Sequence, residues 1–211
     1  MLVGGEDASA KTVSQLSNIV GYVFQNPNHQ LFCTTVDDEV QFGLKNIGLQ
    51  PEERQTRVKE ALDFLGIEKH RNEHPYSLSL GQKKLVAIAS VYAMHPRVIV
   101  LDEPTTGLDH TGVKAISKIV KQMTKEHTVI IITHQMPFVA ECANRAVVMY
   151  SGEIIADDVP RRTFTLRDTM QKASLQPPQI TELAYRLTSL GFPSDILTPK
   201  EMSDELGRRI G

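Results

Sequence analysis

The stretch Val98-Ile99-Val100-Leu101-Asp102-Glu103 decides the fold, because four apolar residues run directly into two acidic ones. A short apolar run bounded by Pro96 and Pro104 is typical of a strand inside a parallel sheet that is covered on both faces. In open α/β sheets, ligands bind at the carboxyl ends of such strands. The stretch therefore predicts a buried strand that delivers Asp102 and Glu103 to a ligand-binding edge.

A second apolar run, Val129-Ile130-Ile131-Ile132, predicts another buried strand, which ends at Thr133-His134. Between the two strands, apolar residues recur at helical spacing from Val113 to Met123. Alternating strands and helices predict an α/β fold with right-handed crossovers. Because parallel strands end at one edge of a sheet, we expect His134 to face the same crevice as the acidic pair.

Further elements lie on both sides of this centre. Pro51 at a first helical position and Gly66 as a stop predict a helix between them. Strands are predicted at Val20 to Phe24 and at Ala146 to Tyr150, the latter turning back into Ile154-Ile155 as a hairpin, and a helix near Ser79. Beyond Pro177-Pro178, an apolar stripe from Ile180 to Leu190 and a helix opened by Thr198, Pro199 and a capping-box Glu201 predict a helical appendage.

Composition excludes several classes of protein. The 211 residues carry 23 Lys plus Arg against 25 Asp plus Glu, a net charge of −2 that argues against a general nucleic-acid binder. No apolar run exceeds five residues, and the first residues lack the pattern of a signal peptide. Cys33 and Cys142 stand alone, which fits a reducing cytosol. We expect a cytosolic protein.

Two interpretations are open for the polar residues at the strand ends. Asp102 and Glu103 could hold Mg²⁺ and polarise an attacking water, or the strand could simply surface there among polar residues. His134 could donate a hydrogen bond to a terminal phosphate or serve as a structural hydrogen-bonding group. Two such sites on successive strands favour the functional interpretation.

Four other features also allow a purely structural interpretation. Ser79-x-x-Gln82 is a capping box, although the free N–H groups of the helix start, with Gly81 beside them, also suit an anion. Asp109 is typical of a helix N-cap, and Gln25 of a solvated loop residue. His70-x-x-x-His74 has the spacing of a helical metal pair, but Pro75 follows at once, so we interpret it as surface.

In order and spacing, these segments resemble the nucleotide-binding domain of ABC transporters. Phe24 to Pro27 is similar to the Q-loop, Leu78 to Gln82 to the signature motif, Val98 to Glu103 to Walker B with the catalytic Glu, Gly107 to Asp109 to the D-loop, and Ile132 to His134 to the switch His. The closer resemblance is to the ATPase subunits of energy-coupling-factor importers of vitamins and transition-metal ions. It rests on Val23 to Phe32 and Pro177 to Ala184.

This resemblance implies an α/β, P-loop NTPase-like ABC ATPase core, truncated at its N-terminus, in residues 1–160. A helical signature subdomain would occupy residues 35–95, and a C-terminal helical extension residues 161–211. ATP and Mg²⁺ are the implied cofactors. The implied partners are a second ABC ATPase subunit and a transmembrane subunit, with no nucleic acid, at the cytoplasmic face of the cell membrane.

The resemblance also implies a role for each site residue. Asp102 would hold Mg²⁺ through water, Glu103 would act as general base, and His134 would steady the γ-phosphate. Gln25 would contact both the Mg²⁺ and the attacking water. The implied nucleotide-site residues are Ser79, Gly81 and Gln82, which would serve the partner's nucleotide, and Asp109, which would couple the two sites.

Two features depart from the family pattern. The phosphate cradle G-x-x-x-x-G-K-[ST] is absent from the sequence, since Leu49 and Val113 follow the two glycine pairs of the right spacing. In the family the cradle precedes the region where this chain begins, so we expect the chain as it stands to bind ATP poorly. Leu80 stands where the family usually has Gly, and Leu85 where Arg is common. A branched side chain at residue 80 is expected to resist a positive φ and to crowd a phosphate.

Three hypotheses follow. The gene could encode a transport ATPase of which this chain is a piece, or the chain could supply only its signature motif to an intact partner. An ABC-type ATPase of DNA repair or translation is the third. The sequence shows neither the long coiled-coil insertion nor the tandem second domain usual in that class.

Overall fold

The computed structural model describes residues 2–3 and 5–210, which divide into two compact units, Met1–Ile132 and Thr133–Gly211. The first unit contains strands β1 (Leu2–Val3), β2 (Glu6–Asp7), β3 (Val20–Val23), β4 (Val98–Asp102) and β5 (Thr128–Ile132). Its helices are α1 (Val13–Ser17), α2 (Val36–Asn46), α3 (Pro51–Leu65), α4 (Leu80–Tyr92) and α5 (His110–Met123). Short 3₁₀ turns lie at Ala8–Ala10, Pro27–His29, Glu68–His70 and Pro75–Ser77.

A parallel sheet in the order β3-β4-β5 lies at the centre of the first unit, which confirms the α/β prediction. The register pairs Val23 with Leu101 and Asp102 with Ile132. The carboxyl ends of the three strands therefore meet at one edge. Asp102 lies on that edge, as the last residue of β4.

The two faces of this sheet differ in burial. On one face Ile99 and Leu101 are fully buried, and α4 packs so closely on β3 that a side chain added at Gly21 would lie 2.2 Å from Val91 Cγ1. On the other face Ile130 and Ile132 of β5 are 47% and 49% exposed. The prediction that these runs are covered on both faces is therefore wrong for β5. An apolar run reports only that a strand can be buried, not what covers it.

Helices α2, α3 and α4 pack against one another in what we call the helical region. Its core residues are fully buried: Val36, Val40, Leu44, Val58, Ala61, Leu62, Val86 and Ala87. The predicted ends of α3 are confirmed. Pro51 occupies its first turn, and Gly66 follows in the left-handed conformation with φ 68°, which closes the helix with two backbone hydrogen bonds.

The second unit contains helix α6 (Met136–Cys142), strands β6 (Ala146–Tyr150) and β7 (Glu153–Asp158), and helices α7 (Pro160–Thr163), α8 (Arg167–Lys172), α9 (Gln179–Arg186) and α10 (Pro199–Ile210), with a 3₁₀ turn at Thr188–Leu190. The predicted hairpin is confirmed. Ser151 and Gly152 both have positive φ, 51° and 84°, as a two-residue hairpin turn with matching twist requires.

Two details of the C-terminal helices differ from expectation. Helix α9 ends at Arg186, so the predicted apolar stripe stops short, and Leu190 is 66% exposed. At α10 the Thr198 hydroxyl accepts a hydrogen bond from the Glu201 N–H, as predicted. The Glu201 carboxylate does not complete the capping box. It accepts from the Leu197 N–H at 3.0 Å and pairs with Arg161, which lowers its pKa against the opposing effect of burial.

Within residues 2–3 and 5–210, no helix is both long and apolar enough to cross a bilayer. The predicted division into residues 1–160 and 161–211 concerns where a nucleotide-binding domain ends. Packing alone does not test that boundary, and it stays a prediction, as does the span of the helical subdomain.

Candidate nucleotide-hydrolysis site

Glu103 occupies the turn that leaves β4, and its backbone is left-handed, with φ 42°. A non-glycine residue in this conformation costs about 1–3 kcal/mol, and such strain clusters at functional sites. Two hydrogen bonds hold Glu103 in place, one at its backbone and one at its side chain. Its N–H donates to the Ile132 carbonyl of β5 at 2.8 Å, and the Thr106 hydroxyl donates to its Oε2 at 3.1 Å. The carboxylate is thereby fixed at the carboxyl edge of the sheet.

Asp102 is held by a neighbour on β3. The Tyr22 hydroxyl donates to Asp102 Oδ2 at 2.9 Å, and this hydrogen bond is the main reason that the pKa of Tyr22 is raised. Gln25, the second residue after β3, is exposed at the same edge. The structure thus brings Gln25, Asp102 and Glu103 to adjoining strand ends, as predicted for the acidic pair from the strand order and implied for Gln25 by the family resemblance.

Lys84 of α4 is a residue that sequence reasoning missed. Its side chain is buried, with the residue 4% exposed, and its ammonium donates to the carbonyl oxygens of Gln25 at 3.0 Å and Glu103 at 3.1 Å. Burial lowers the pKa of Lys84, against the opposing charges of Glu103 and Asp102. The available signal was a lysine set directly before the apolar run Leu85 to Ala89.

The start of α4 is capped as the sequence predicts. The Ser79 Oγ accepts from the Gln82 N–H at 3.4 Å, and Gln82 Oε1 accepts from the Ser79 N–H at 2.8 Å. Leu80 is the first helical residue and is 41% exposed. The backbone of Leu80 is helical, so its branched side chain meets no positive φ at this position, and the crowding of a phosphate stays a prediction.

His70 supports this capping box, so its interpretation as a surface residue is wrong. Its side chain is 13% exposed, and its Nε2 lies 2.9 Å from the Gln82 amide nitrogen. An amide nitrogen only donates, so Nε2 accepts and Nδ1–H donates to Glu73 at 2.8 Å. His74 instead accepts from the Tyr76 N–H and caps a different turn.

The signature and D-loop segments contact each other. Gly107 has φ 79°, and a side chain there would lie 2.8 Å from Leu80 Cδ2. Gly81 faces Leu108 in the same way, at an ordinary contact distance of 3.5 Å. Asp109 Oδ1 accepts from the Gly112 N–H at 2.8 Å, which confirms Asp109 as the N-cap of α5. Its coupling role stays a prediction.

His134, the second residue after β5, is exposed and belongs to the second unit. Its approach to the carboxylates of the first unit stays a prediction. The second unit also holds a cavity of ≈ 400 Å³, lined in part by Phe164, Arg167 and Pro177, which contains none of the predicted site residues.

The donors at the carboxyl edge suit Mg²⁺ that arrives with a nucleotide. Asp102 and Gln25 offer hard oxygen atoms, and Mg²⁺ takes one or two carboxylates while keeping waters and substrate phosphates as further ligands. Within the described residues, no group of three or more His, Cys, Asp or Glu side chains could hold a metal ion by itself. These residues fit a substrate-borne Mg²⁺ better than a protein-only metal site.

The chain is similar to ATP-binding proteins of ABC transporters. The family model for ABC transporters matches residues 1–106. The EcfA1 ATP-binding protein of an energy-coupling factor transporter of Caldanaerobacter subterraneus is 41% identical over 203 residues, which cover 94% of this chain and 73% of that protein. The chain also matches two other curated ABC transporter ATP-binding proteins, one from the same species and one from Methanosarcina mazei. It spans only 33% and 35% of their length.

Two solved structures are similar. CbiO1 of Clostridium perfringens, described as part of the ABC transporter complex CbiONQ, superposes with a TM-score of 0.72 at 39% identity, covering 86% of this chain and 74% of that chain. A dimeric ATP-binding cassette, MJ0796, with bound ADP and Pi, superposes with a TM-score of 0.65 at 26% identity, covering 75% and 72%.

The parallel sheet with its strand-end carboxylates, the capped signature helix and these matches define an ATP-binding cassette. The chain belongs to the ABC transporter ATP-binding family, in the branch of the energy-coupling-factor transporter ATP-binding subunits.

Proposed function

We propose that the chain is the ATP-binding and ATP-hydrolysing subunit of an energy-coupling-factor importer, which powers uptake of a vitamin or a transition-metal ion through a membrane partner. The observation that carries the proposal is the placement of Glu103, whose strained backbone is held at the carboxyl edge beside Asp102 and Gln25. Strain kept at a ligand-binding edge is typical of a catalytic residue.

In the proposed mechanism two ATPase subunits sandwich two ATP molecules head to tail. Each nucleotide lies between the strand-end residues of one subunit and the signature motif of the other. Ser79, Gly81 and Gln82 present the start of α4 to the partner's phosphates, because its free N–H groups and helix dipole favour an anion. Asp109, which directly follows the Gly107-Leu108 pair that contacts this segment, couples the two sites.

At the strand ends, Glu103 takes the proton from the attacking water, Gln25 orients that water, and His134 donates to the γ-phosphate as charge develops. Asp102 and Gln25 would hold Mg²⁺, which supplies charge neutralisation at the phosphates when it is bound. Catalysis of this kind is positioning plus charge stabilisation, so precise placement of these side chains matters most.

The membrane partner would select the transported substrate, and the ATPase subunit would bind it peripherally at the cytoplasmic face. The family membership of the chain, and the description of CbiO1 as part of a transporter complex, support this assembly.

The test uses this chain extended at its amino end by the cradle-bearing segment of an energy-coupling-factor relative, here called the extended chain. We expect Mg²⁺-dependent release of phosphate from ATP.

Asp102→Asn should slow the release by about 100-fold or more, because several kcal/mol of charge stabilisation is lost. Asp63→Asn is the matched control, since Asp63 is exposed and pairs only locally with Lys59 among its recorded ion pairs. Equal rates for the extended chain and Asp102→Asn would contradict the proposal.

A second candidate function is supply of the signature motif alone to an intact partner ATPase. It is favoured by the complete capping box at Ser79 and Gln82, which fixes the start of α4, where the helix dipole favours an anion. Under this candidate, the 211-residue chain mixed with an intact partner changes the partner's ATPase rate, and Ser79→Arg removes the change. An unchanged rate on mixing would reject this candidate.

A further inference from the structure

Among the described residues, Lys84 is the only buried lysine, and its position links three elements of the first unit. It lies in the second turn of α4, and its side chain reaches the residues that follow β3 and β4. Its ammonium donates to the Gln25 carbonyl, 59 residues away, and to the Glu103 carbonyl, 19 residues away. Each acceptor lies just beyond a strand end.

On the Glu103 side, Lys84 completes the support of a strained peptide. The N–H of Glu103 is bound by β5 through the Ile132 carbonyl at 2.8 Å, and the C=O is bound by Lys84 at 3.1 Å. The same C=O accepts from the Thr106 N–H at 3.3 Å. A left-handed backbone persists only when its surroundings over-determine it, and these contacts do so from both sides.

On the Gln25 side, Lys84 acts together with Gln30. The Gln30 amide group accepts from the Phe24 N–H at 3.2 Å and donates to the Ala87 carbonyl at 3.0 Å and the Ser90 hydroxyl at 3.2 Å. Helix α4 therefore holds the segment around Gln25 at two points, one through Lys84 and one through Gln30.

We propose that Lys84 is a positioning residue that locks the loop of Gln25 and the turn of Glu103 to helix α4, so that both side chains meet the same phosphate. Because α4 also carries the signature motif, this contact couples the hydrolytic edge of a subunit to the helix that serves its partner's nucleotide. The effect of Lys84 on ATP hydrolysis rests on the proposed function. The immobilisation of the two segments by Lys84 does not depend on it.

Hydrogen exchange of backbone amides in the 211-residue chain tests the locking without any nucleotide. We expect Lys84→Met to accelerate exchange about tenfold or more in residues 24–30 and 103–106, since a hydrogen bond to a charged group is lost at each carbonyl. Exchange in α2 and α3 should not change. Lys59→Met is the control, because the exposed Lys59 of α3 pairs with Asp63 instead of either segment.

Unchanged exchange in both segments of a folded Lys84→Met variant would overturn the inference. If that variant does not fold, Lys84→Gln replaces it, since its amide keeps the position polar but is one bond shorter. Lys84→Gln should also accelerate exchange in both segments, and retained protection would overturn the inference.

The extended chain tests the catalytic meaning. Lys84→Met should lower kcat for ATP by about 10- to 100-fold while KM stays within about threefold, because displaced catalytic groups slow chemistry more than they weaken binding. A merely structural role would lower the amount of active protein and leave kcat per active site unchanged, which would overturn the catalytic meaning. If the extended chain shows no turnover but the exchange result holds, the proposed function fails and the locking by Lys84 stands.

Discussion

The helical region and the parallel sheet occupy the same compact unit, yet they are covered to very different extents. The helical region has a closed core, in which residues such as Val58 and Leu62 are fully buried. The sheet is packed on the face of Ile99 and Leu101 and half exposed on the face of Ile130 and Ile132.

The difference shows where the site obtains its rigidity. The strand ends receive their support from the covered side, through Lys84 and Gln30 to α4, and from the register of β4 with β5. The open side supplies the Tyr22 contact to Asp102. The site geometry therefore depends more on the signature helix than on the exposed face of the sheet.

The sharpest test of this comparison is a matched pair of truncations in neighbouring strands. Ile99→Ala should lower the free energy of unfolding by about 2–5 kcal/mol, because it removes a fully buried side chain and leaves a cavity. Ile130→Ala should cost about 1 kcal/mol or less, since half of that side chain is in solvent. Urea unfolding measures both. Equal costs would show that the two faces are covered alike in solution.

The packing around Cys33, just before α2, can be tested by the pH dependence of its alkylation. Burial, aided by the charge of Glu39, raises the pKa of Cys33 to about 11. At pH 8 its thiolate fraction should thus be about 100-fold lower than that of a thiol of pKa 9.0, and alkylation should accelerate about tenfold per pH unit until pH approaches 11. The rate is measured with iodoacetamide in a Cys142→Ser background. Glu39→Gln should speed the reaction, and a rate that levels off near pH 9 would contradict the packing.

A smaller effect is expected at the end of the helical region that meets the site. Ser79→Ala removes the cap of α4 and should lower the free energy of unfolding by about 1 kcal/mol. Ser77→Ala is the control, because its hydroxyl makes only an exposed local bond to the His74 carbonyl among its recorded contacts, and we expect a change within about 0.5 kcal/mol. The two serines should differ in chemical denaturation, and identical midpoints would count against the capping box.

Most of the fold could be predicted from local signals. The apolar runs predicted β4 and β5, Pro51 and Gly66 predicted the ends of α3, and the capping box predicted the start of α4. Such signals lie within a few residues of one another, so sequence spacing is enough to detect them. The position of Asp102 and Glu103 at the edge followed from the rule for parallel strands, whereas the role of Gln25 there was implied only by the family resemblance.

The contacts that hold the site could not be predicted in this way. Lys84 reaches acceptors 59 and 19 residues distant, and His70 reaches Gln82 across a turn between different elements. No local pattern marks such partners. The half-exposed face of β5 was also missed, because Ile130 and Ile132 belong to a run that is apolar on both sides of the strand.

The central claim is that Glu103 is the base of a nucleotide-hydrolysing site. Its most direct test is a single-turnover chemical-quench measurement on the extended chain with Glu103→Gln and Mg²⁺–ATP. The account predicts ATP binding within about threefold of the unsubstituted protein and hydrolysis slowed by about 10²- to 10⁴-fold, so that intact ATP stays bound. Release of phosphate at the unsubstituted rate would place the base on another residue and contradict the account.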